Sequence, residues 1–151
     1  MQGPGEKAIR TDVTPEGDKN SSRPNKEIYR DMVEELDWSV GRILETLKKY
    51  ELDENTFVVF FSDNGPVINN GGSAGGYRGA KGTPWEGGHR VPGICYMPGT
   101  IKEGTICKQA VMSFDLFPTM LDMADIHYDD SKKKLDGTSS VSYTHLTLPT
   151  T

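Results

Sequence analysis

One unbroken apolar run in this chain, TFVVFF at residues 56–61, ends abruptly on the polar sequence SDNG. A strand with one face in water would alternate apolar and polar side chains. The run therefore predicts a strand covered on both faces, as in a parallel sheet flanked by helices. In open sheets of this kind ligands gather beyond the carboxyl ends of the strands, which is where the sequence places Asp63 and Asn64.

The segment before this strand is predicted to be a long amphipathic helix over residues 27–49. Its apolar residues recur at three- and four-residue spacing, at Tyr29, Met32, Val33, Leu36, Val40, Ile43, Leu44 and Leu47. Asn25 is the predicted N-cap, and Lys48 and Lys49 suit the negative end of the helix dipole. A helix followed closely by such a strand indicates an α/β layer architecture.

The second half of the chain combines a long loop with two shorter elements. Residues 65–90 form a glycine-rich loop that is too long for a simple connection. The sequence RVPGICYMPG, residues 90–99, predicts a short strand closed by Pro98 and Gly99. Residues 113–126 predict a helix, with Asp115 near its start and Pro118 in its first turn.

Length and charge exclude several classes of function. A chain of 151 residues is long enough for one core and too short for two ordinary domains. A formal charge of −5 with no basic run longer than KKK argues against a nucleic-acid partner. No apolar stretch approaches the roughly 20 residues of a membrane span. The two cysteines, Cys95 and Cys107, leave their pairing and the redox compartment open, and the oligomeric state is not determined.

The two ends of the chain differ in character from its middle. Residues 1–26 are rich in glycine, proline and polar residues, and they are interpreted as an irregular surface segment. The last stretch, VSYTHLTLPTT at residues 141–151, resembles the translation of a transposon-end and adapter sequence used in sequencing-library preparation. We interpret it as a non-native tail and leave it out of the fold. A genuine disordered tail is the alternative.

Asp63 and Asn64 are candidate ligands for a metal ion. A carboxylate and an amide carbonyl are oxygen donors suited to Ca²⁺ or Mg²⁺ rather than to a soft metal. Two ligands cannot complete a shell of six to eight oxygens, so other ligands must come from elsewhere. An Asx turn that ends the strand explains the same residues, and on these residues alone it is favoured.

Lys81 lies between two glycines in RGAKGTPWEGG, where its ammonium group can approach an oxyanion closely. An exposed lysine in a flexible loop is the alternative, and taken alone it is the simpler one. Glu86 is a candidate to brace this loop through an ion pair with Arg90. His89 is expected to face solvent. The serines lack partners for a hydrolase triad.

Four ordered blocks of the chain resemble one family. They are VEELDWSVGRILETL, NTFVVFFSDNGP, GGYRGAKGTPWEGGHRVPGICYMPG and SFDLFPTMLDMADI. Together they resemble the formylglycine-dependent sulfatases, in the arylsulfatase branch of the alkaline phosphatase superfamily, from about residue 27 to residue 139. The resemblance implies an α/β fold, part of an alkaline-phosphatase-like mixed sheet sandwiched by helices. Residues 27–140 would form the later portion of the catalytic domain.

The resemblance also implies roles for individual residues. Asp63 and Asn64 would bind a divalent cation, usually Ca²⁺, with Mg²⁺ as an alternative, and Lys81 would contact the substrate sulfate. The Trp85-to-Arg90 segment would brace the loop, and the DLFPT helix would pack without taking part in chemistry. The substrate would be a sulfated small molecule or glycan. Localisation would be periplasmic, extracellular or lysosomal.

The family nucleophile is a formylglycine made from the Cys or Ser of a CxPxR or SxPxR motif, and neither motif occurs in this sequence. The resemblance therefore implies that the nucleophile and the other cation ligands lie upstream, and that this chain alone is inactive. A phosphohydrolase or phosphonate hydrolase of the same superfamily is one alternative. An inactive pseudo-sulfatase that binds calcium is another.

Overall fold

The computed structural model describes residues 24–131 and 133–141. It contains three α-helices, α1 (Asn25–Lys49), α2 (Glu86–His89) and α3 (Leu116–Met123), and two strands, β1 (Val58–Phe61) and β2 (Gly93–Tyr96). An irregular segment was predicted for residues 1–26, and residues 1–23 of it lie outside the described residues. The predicted non-native tail lies outside them from residue 142. None of the helices in the described part is long and apolar enough to cross a membrane.

The chain divides into two compact units. Among the described residues, the first contains residues 24–39 together with Asp63–Arg90, and the second contains Val40–Ser62 together with residues 91–131 and 133–141. Helix α1 contributes its first part to one unit and its last part to the other.

Helix α1 confirms the predicted amphipathic helix, with a start two residues earlier than expected. The prediction of Asn25 as N-cap was wrong, because Asn25 is already the first helical residue. The carbonyl of Pro24 accepts the first hydrogen bonds instead, from the amides of Glu27 at 2.9 Å and Ile28 at 3.3 Å. No residue of α1 is buried, and of the eight apolar residues that predicted the helix four are exposed and four are half-buried.

Strands β1 and β2 form a two-stranded antiparallel sheet, with Val58 opposite Tyr96 and Phe61 opposite Gly93. This pair contradicts the expected parallel pairing of β1. It also contradicts the expected cover on both faces, because Phe60 and Phe61 are 38% and 42% exposed. An unbroken apolar run reports the capacity of a strand to be buried and does not set the direction of its neighbour. A mixed sheet contains antiparallel pairs as well as parallel ones.

Helix α3 follows a short 3-10 turn, Ser113–Asp115, and carries Pro118 in its first turn as predicted. It ends at Met123, three residues before the predicted end. Asp125 adopts a left-handed backbone conformation with φ of 52°, which a continuing helix does not permit.

The segment after α3 is fastened to the start of that helix. The Asp115 carboxylate accepts hydrogen bonds from the amides of Met112 and Thr138, each at 2.8 Å. The Thr119 hydroxyl donates to the Asp115 carbonyl and accepts from the amide of Ser140 at 2.9 Å. Thr119 and Ser140 are both buried. These residues have a structural role, in agreement with the packing role expected for this helix.

Candidate functional site

The glycine-rich loop returns twice to the residues where it begins. The amide of Gly65 donates a 2.8 Å hydrogen bond to the carbonyl of Gly88, and the amide of Lys81 donates a 3.0 Å hydrogen bond to the carbonyl of Pro66. Pro66 lies two residues after Asn64. The main chain therefore places Lys81 beside the segment that carries Asp63 and Asn64.

Close packing of backbone against backbone makes this arrangement possible. Gly65, Gly87 and Gly88 are buried. A Cβ atom at Gly65 would overlap the carbonyl oxygen of Gly87, and one at Gly88 would overlap the carbonyl oxygen of Thr83. The glycines are required here because any side chain would separate the two passes of the main chain.

Lys81 itself occupies the second position of a tight turn. The amide of Thr83 donates to the carbonyl of Ala80 at 3.0 Å, and Gly82 has φ of 83°, the positive value that the third position of a type II turn requires. The Thr83 hydroxyl also bonds the amide and the carbonyl of Ala80, at 3.1 Å and 2.8 Å. The Lys81 side chain is exposed, and its ammonium group forms no ion pair with any residue in the described ranges.

The predicted brace between Glu86 and Arg90 is confirmed. Their side chains form an ion pair of 2.7 Å across one turn of α2, and the Arg90 guanidinium lies 4.5 Å from the centre of the Tyr77 ring. The hydrogen bond with Glu86 raises the pKa of Arg90 above its ordinary value. Both side chains are 57% exposed, so the ion pair adds little to the free energy of unfolding. We assign it the role of orienting the loop.

Arg78 is a residue that the sequence did not single out. Its guanidinium carbon lies 3.6 Å from the centre of the Trp85 ring, and its carbonyl accepts a 2.8 Å hydrogen bond from the amide of Gly87. The contact joins residues seven positions apart in an irregular loop, so no periodic pattern in the sequence reveals it.

The loop has the opposite charge to the chain as a whole. Residues 65–90 contain three basic residues, Arg78, Lys81 and Arg90, and one acidic residue, Glu86, which gives a formal charge of +2 in a chain of −5. A concentration of positive charge on a rigid loop favours an anionic ligand.

The candidate metal ligands have the right chemistry but are too few within the described part of the chain. Asp63 is exposed and its carboxylate forms no ion pair with a described residue, while Asn64 is half-buried. Their oxygens suit a hard dication. No group of three or more His, Cys, Asp or Glu side chains in residues 24–131 and 133–141 could hold a metal ion. Asp63 and Asn64 therefore fit a divalent cation only as part of a larger shell.

The histidine and the two cysteines that the sequence analysis named are exposed. His89 is exposed, as predicted. Cys95 and Cys107 are both free and exposed.

Comparison with known proteins places the chain among sulfatases. A model of the sulfatase family matches residues 4–126. Steryl-sulfatase of Rattus norvegicus is 43% identical over 104 residues, which are 64% of this chain and 18% of that protein. N-acetylgalactosamine-6-sulfatase of Canis lupus familiaris is 42% identical over 113 residues, which are 72% of this chain and 22% of that protein. The chain thus spans about a fifth of the length of these curated relatives.

Solved structures show the same likeness. A crystal structure of Ps i-CgsB in complex with k-i-k-neocarrahexaose matches with a TM-score of 0.73 and 33% identity, over 81% of this chain and 27% of that one. The structure of PsFucS1 sulfatase from Pseudoalteromonas sp. matches with a TM-score of 0.68 and 33% identity, over 76% of this chain and 24% of that one.

Proposed function

Because this chain belongs to the sulfatase family, we propose that it is one segment of an enzyme that hydrolyses sulfate esters. The family in general uses a metal ion and a formylglycine. The observation that carries the proposal is the hydrogen bond from the Lys81 amide to the Pro66 carbonyl, which places the main chain of Lys81 beside the segment that carries Asp63 and Asn64.

Lys81 is the proposed sulfate-binding residue. A sulfate ester is already anionic, and more negative charge develops on its oxygens and on the leaving alkoxide during cleavage. An ammonium group on a fixed turn stabilises that charge and lowers the barrier, because it needs no reorganisation at the moment of reaction. The positive charge of residues 65–90 supports this role.

Asp63 and Asn64 are the proposed cation ligands. Their carboxylate and amide oxygens suit Ca²⁺, with Mg²⁺ as the alternative, and the other ligands would come from outside the described residues. When bound, such a cation withdraws charge from the sulfate oxygens. The nucleophile is proposed to lie outside this sequence, since it contains neither CxPxR nor SxPxR.

We further propose that residues 27–140 are the later portion of the catalytic domain, and that the substrate is a sulfated small molecule or glycan. A periplasmic, extracellular or lysosomal location would accompany that role. The phosphohydrolase and pseudo-sulfatase alternatives are not favoured, because the reported relatives are named as steryl-sulfatase, N-acetylgalactosamine-6-sulfatase and PsFucS1 sulfatase.

The test compares the 151-residue chain with the complete enzyme. The complete enzyme should hydrolyse p-nitrophenyl sulfate, and the chain alone should not. Asp63→Ala in the complete enzyme should abolish turnover and weaken calcium binding measured by titration calorimetry. Asp53→Ala serves as the control, because it removes a carboxylate from the 3-10 turn Asp53–Asn55, which lies outside the proposed ligand segment. Hydrolysis by the isolated chain, or full activity of Asp63→Ala, would contradict the proposal.

A further inference from the structure

Two arginines of the glycine-rich loop lie over aromatic rings, and they differ in one respect. Arg90 lies over the Tyr77 ring and forms an ion pair with the Glu86 carboxylate. Arg78 lies over Trp85 at 3.6 Å, and within the described ranges it pairs with no carboxylate. The guanidinium of Arg78 therefore remains available for an anion that is not part of the loop.

The backbone around Arg78 is held by a main-chain hydrogen bond, as that of Lys81 is. The Arg78 carbonyl accepts a hydrogen bond from the amide of Gly87. The next residue, Gly79, has φ of 86°. A Cβ atom at Gly79 would overlap the Thr83 hydroxyl and lie 2.8 Å from the Cβ of Trp85. The arginine is thus presented from a fixed backbone, which reduces the entropy that binding would cost.

Arg78 and Lys81 lie three residues apart on the same loop, and both are exposed. Three residues of chain span at most about 11 Å, so the Cα atoms of the two residues lie within that distance. A guanidinium presents a planar set of N–H donors that matches sulfate and carboxylate, and stacking on an aromatic ring fixes its plane. Trp85 is 45% exposed, so the pair is open to a ligand.

We propose that Arg78, held over Trp85, binds a second anionic group of the substrate, next to the ester sulfate at Lys81. This rests on the proposed function of Lys81. The substrate class it implies is an acidic saccharide that carries a further sulfate or a carboxylate near the scissile sulfate. A ligand with a single sulfate would leave Arg78 without a partner.

The experiment measures binding to the 151-residue chain in a Trp38→Phe background, where the only indole N–H signal in NMR belongs to Trp85. The probes are three disaccharides with one sulfate in common, which differ in carrying no second charge, a second sulfate or a carboxylate. We expect the doubly charged probes to bind about tenfold more tightly than the first.

Three variants assign that preference. Arg78→Gln should remove it and leave the binding of the singly charged probe within about twofold, because a charge-assisted hydrogen bond is lost only with the second group. Arg78→Lys should also lose most of it, since an ammonium lacks the planar fork. Lys102→Gln removes one positive charge outside residues 65–90 and should bind like the parent chain.

The outcomes separate the two proposals. If Arg78→Gln and Arg78→Lys keep the preference while Lys81→Ala weakens every probe, the inference about Arg78 is wrong and the role of Lys81 stands. If neither the 151-residue chain nor the complete enzyme binds any probe, or if Lys81→Ala binds like its parent in both, both proposals are wrong. Should Arg78→Gln lose the dispersed Trp85 signal of a folded loop, Arg78→Lys decides the question.

Discussion

The amide of Lys81 and the carbonyl of Pro66 are joined by a 3.0 Å hydrogen bond. The bond uses main-chain atoms alone, and the turn from Ala80 to Thr83 that carries Lys81 is held by a main-chain hydrogen bond and by the Thr83 hydroxyl. The position of the residue therefore does not depend on its own side chain. A change of that side chain should alter chemistry at the loop and leave the loop in place.

Lys81→Ala in the complete enzyme should raise KM and lower kcat, because the ground state and the transition state both carry the sulfate. Loss of a hydrogen bond to a charged group costs about 1.5–3 kcal/mol, so kcat/KM should fall by about 10- to 100-fold. Steady-state kinetics with an aryl sulfate provide the measurement. Lys102→Ala is the matched control, and equal losses in the two variants would argue against a role for Lys81.

Gly88→Ala should destabilise the loop, while Gly41→Ala should stabilise the chain. A Cβ at position 88 meets the backbone of Thr83 and Ala80, and such overpacking costs about 1–3 kcal/mol. Gly41 lies inside α1 with nothing within 4 Å, so alanine there should add about 0.5–1 kcal/mol. Urea unfolding compares the two free energies. Shifts of the same sign would show that the backbone contact at Gly88 is not tight.

Thr119→Val should loosen the segment after α3. The change removes the acceptor of the Ser140 amide in a buried site, which costs about 1–3 kcal/mol. Hydrogen exchange at the Ser140 amide should accelerate accordingly. The control is Thr46→Val, because the hydroxyl of Thr46 bonds the Arg42 carbonyl on the exposed surface of α1, where water can replace it. An unchanged exchange rate at the Ser140 amide would show that the Thr119 hydroxyl does not hold this segment in place.

Cys95 should react with thiol reagents at higher pH than an unstructured cysteine peptide does. The residue is exposed overall, yet desolvation of its thiol, and secondarily Cys107, raise its pKa. Only the thiolate reacts, so a Cys107→Ser chain should show an alkylation profile displaced to higher pH. A profile that coincides with that of the peptide would contradict the expected shift.

The same shift sets the sign of a pH effect on stability. The folded chain holds the Cys95 proton more tightly than the unfolded chain does. Its contribution to stability is therefore complete below the unfolded pKa and is lost as pH rises through the folded pKa. Cys95→Ser should remove that alkaline loss, as measured by urea unfolding at several pH values.

The sequence predicted those features that depend on local spacing. The apolar residues of α1 recur with the period of a helix, and Pro118 suits a first helical turn, so both elements were found. Membership of the sulfatase family and the alkaline-phosphatase-like fold class are likewise confirmed. The helix ends were misplaced by two or three residues, because Pro24 and Asp125 set them through backbone geometry that no periodicity records.

Features that depend on distant pairing were not predictable in the same way. The apolar run of β1 indicates a strand, but its antiparallel neighbour is more than 30 residues away in sequence. The residue types of Asp63 and Asn64 are enough to suggest oxygen ligands for a cation. That the main chain of Lys81 lies beside their segment depends on the hydrogen bond from the Lys81 amide to the Pro66 carbonyl, which the sequence does not reveal. Arg78 and Trp85 meet only because the loop folds back on itself.

The buried glycines at 65, 87 and 88 have a consequence for how this loop tolerates change. Since a Cβ atom at each of these glycines would meet main-chain atoms, a saturation library should show near-total intolerance at those three sites. Tolerance should be graded at Tyr77, Arg78 and Trp85. Ligand preference could then diversify through the latter positions without redesign of the frame that carries them.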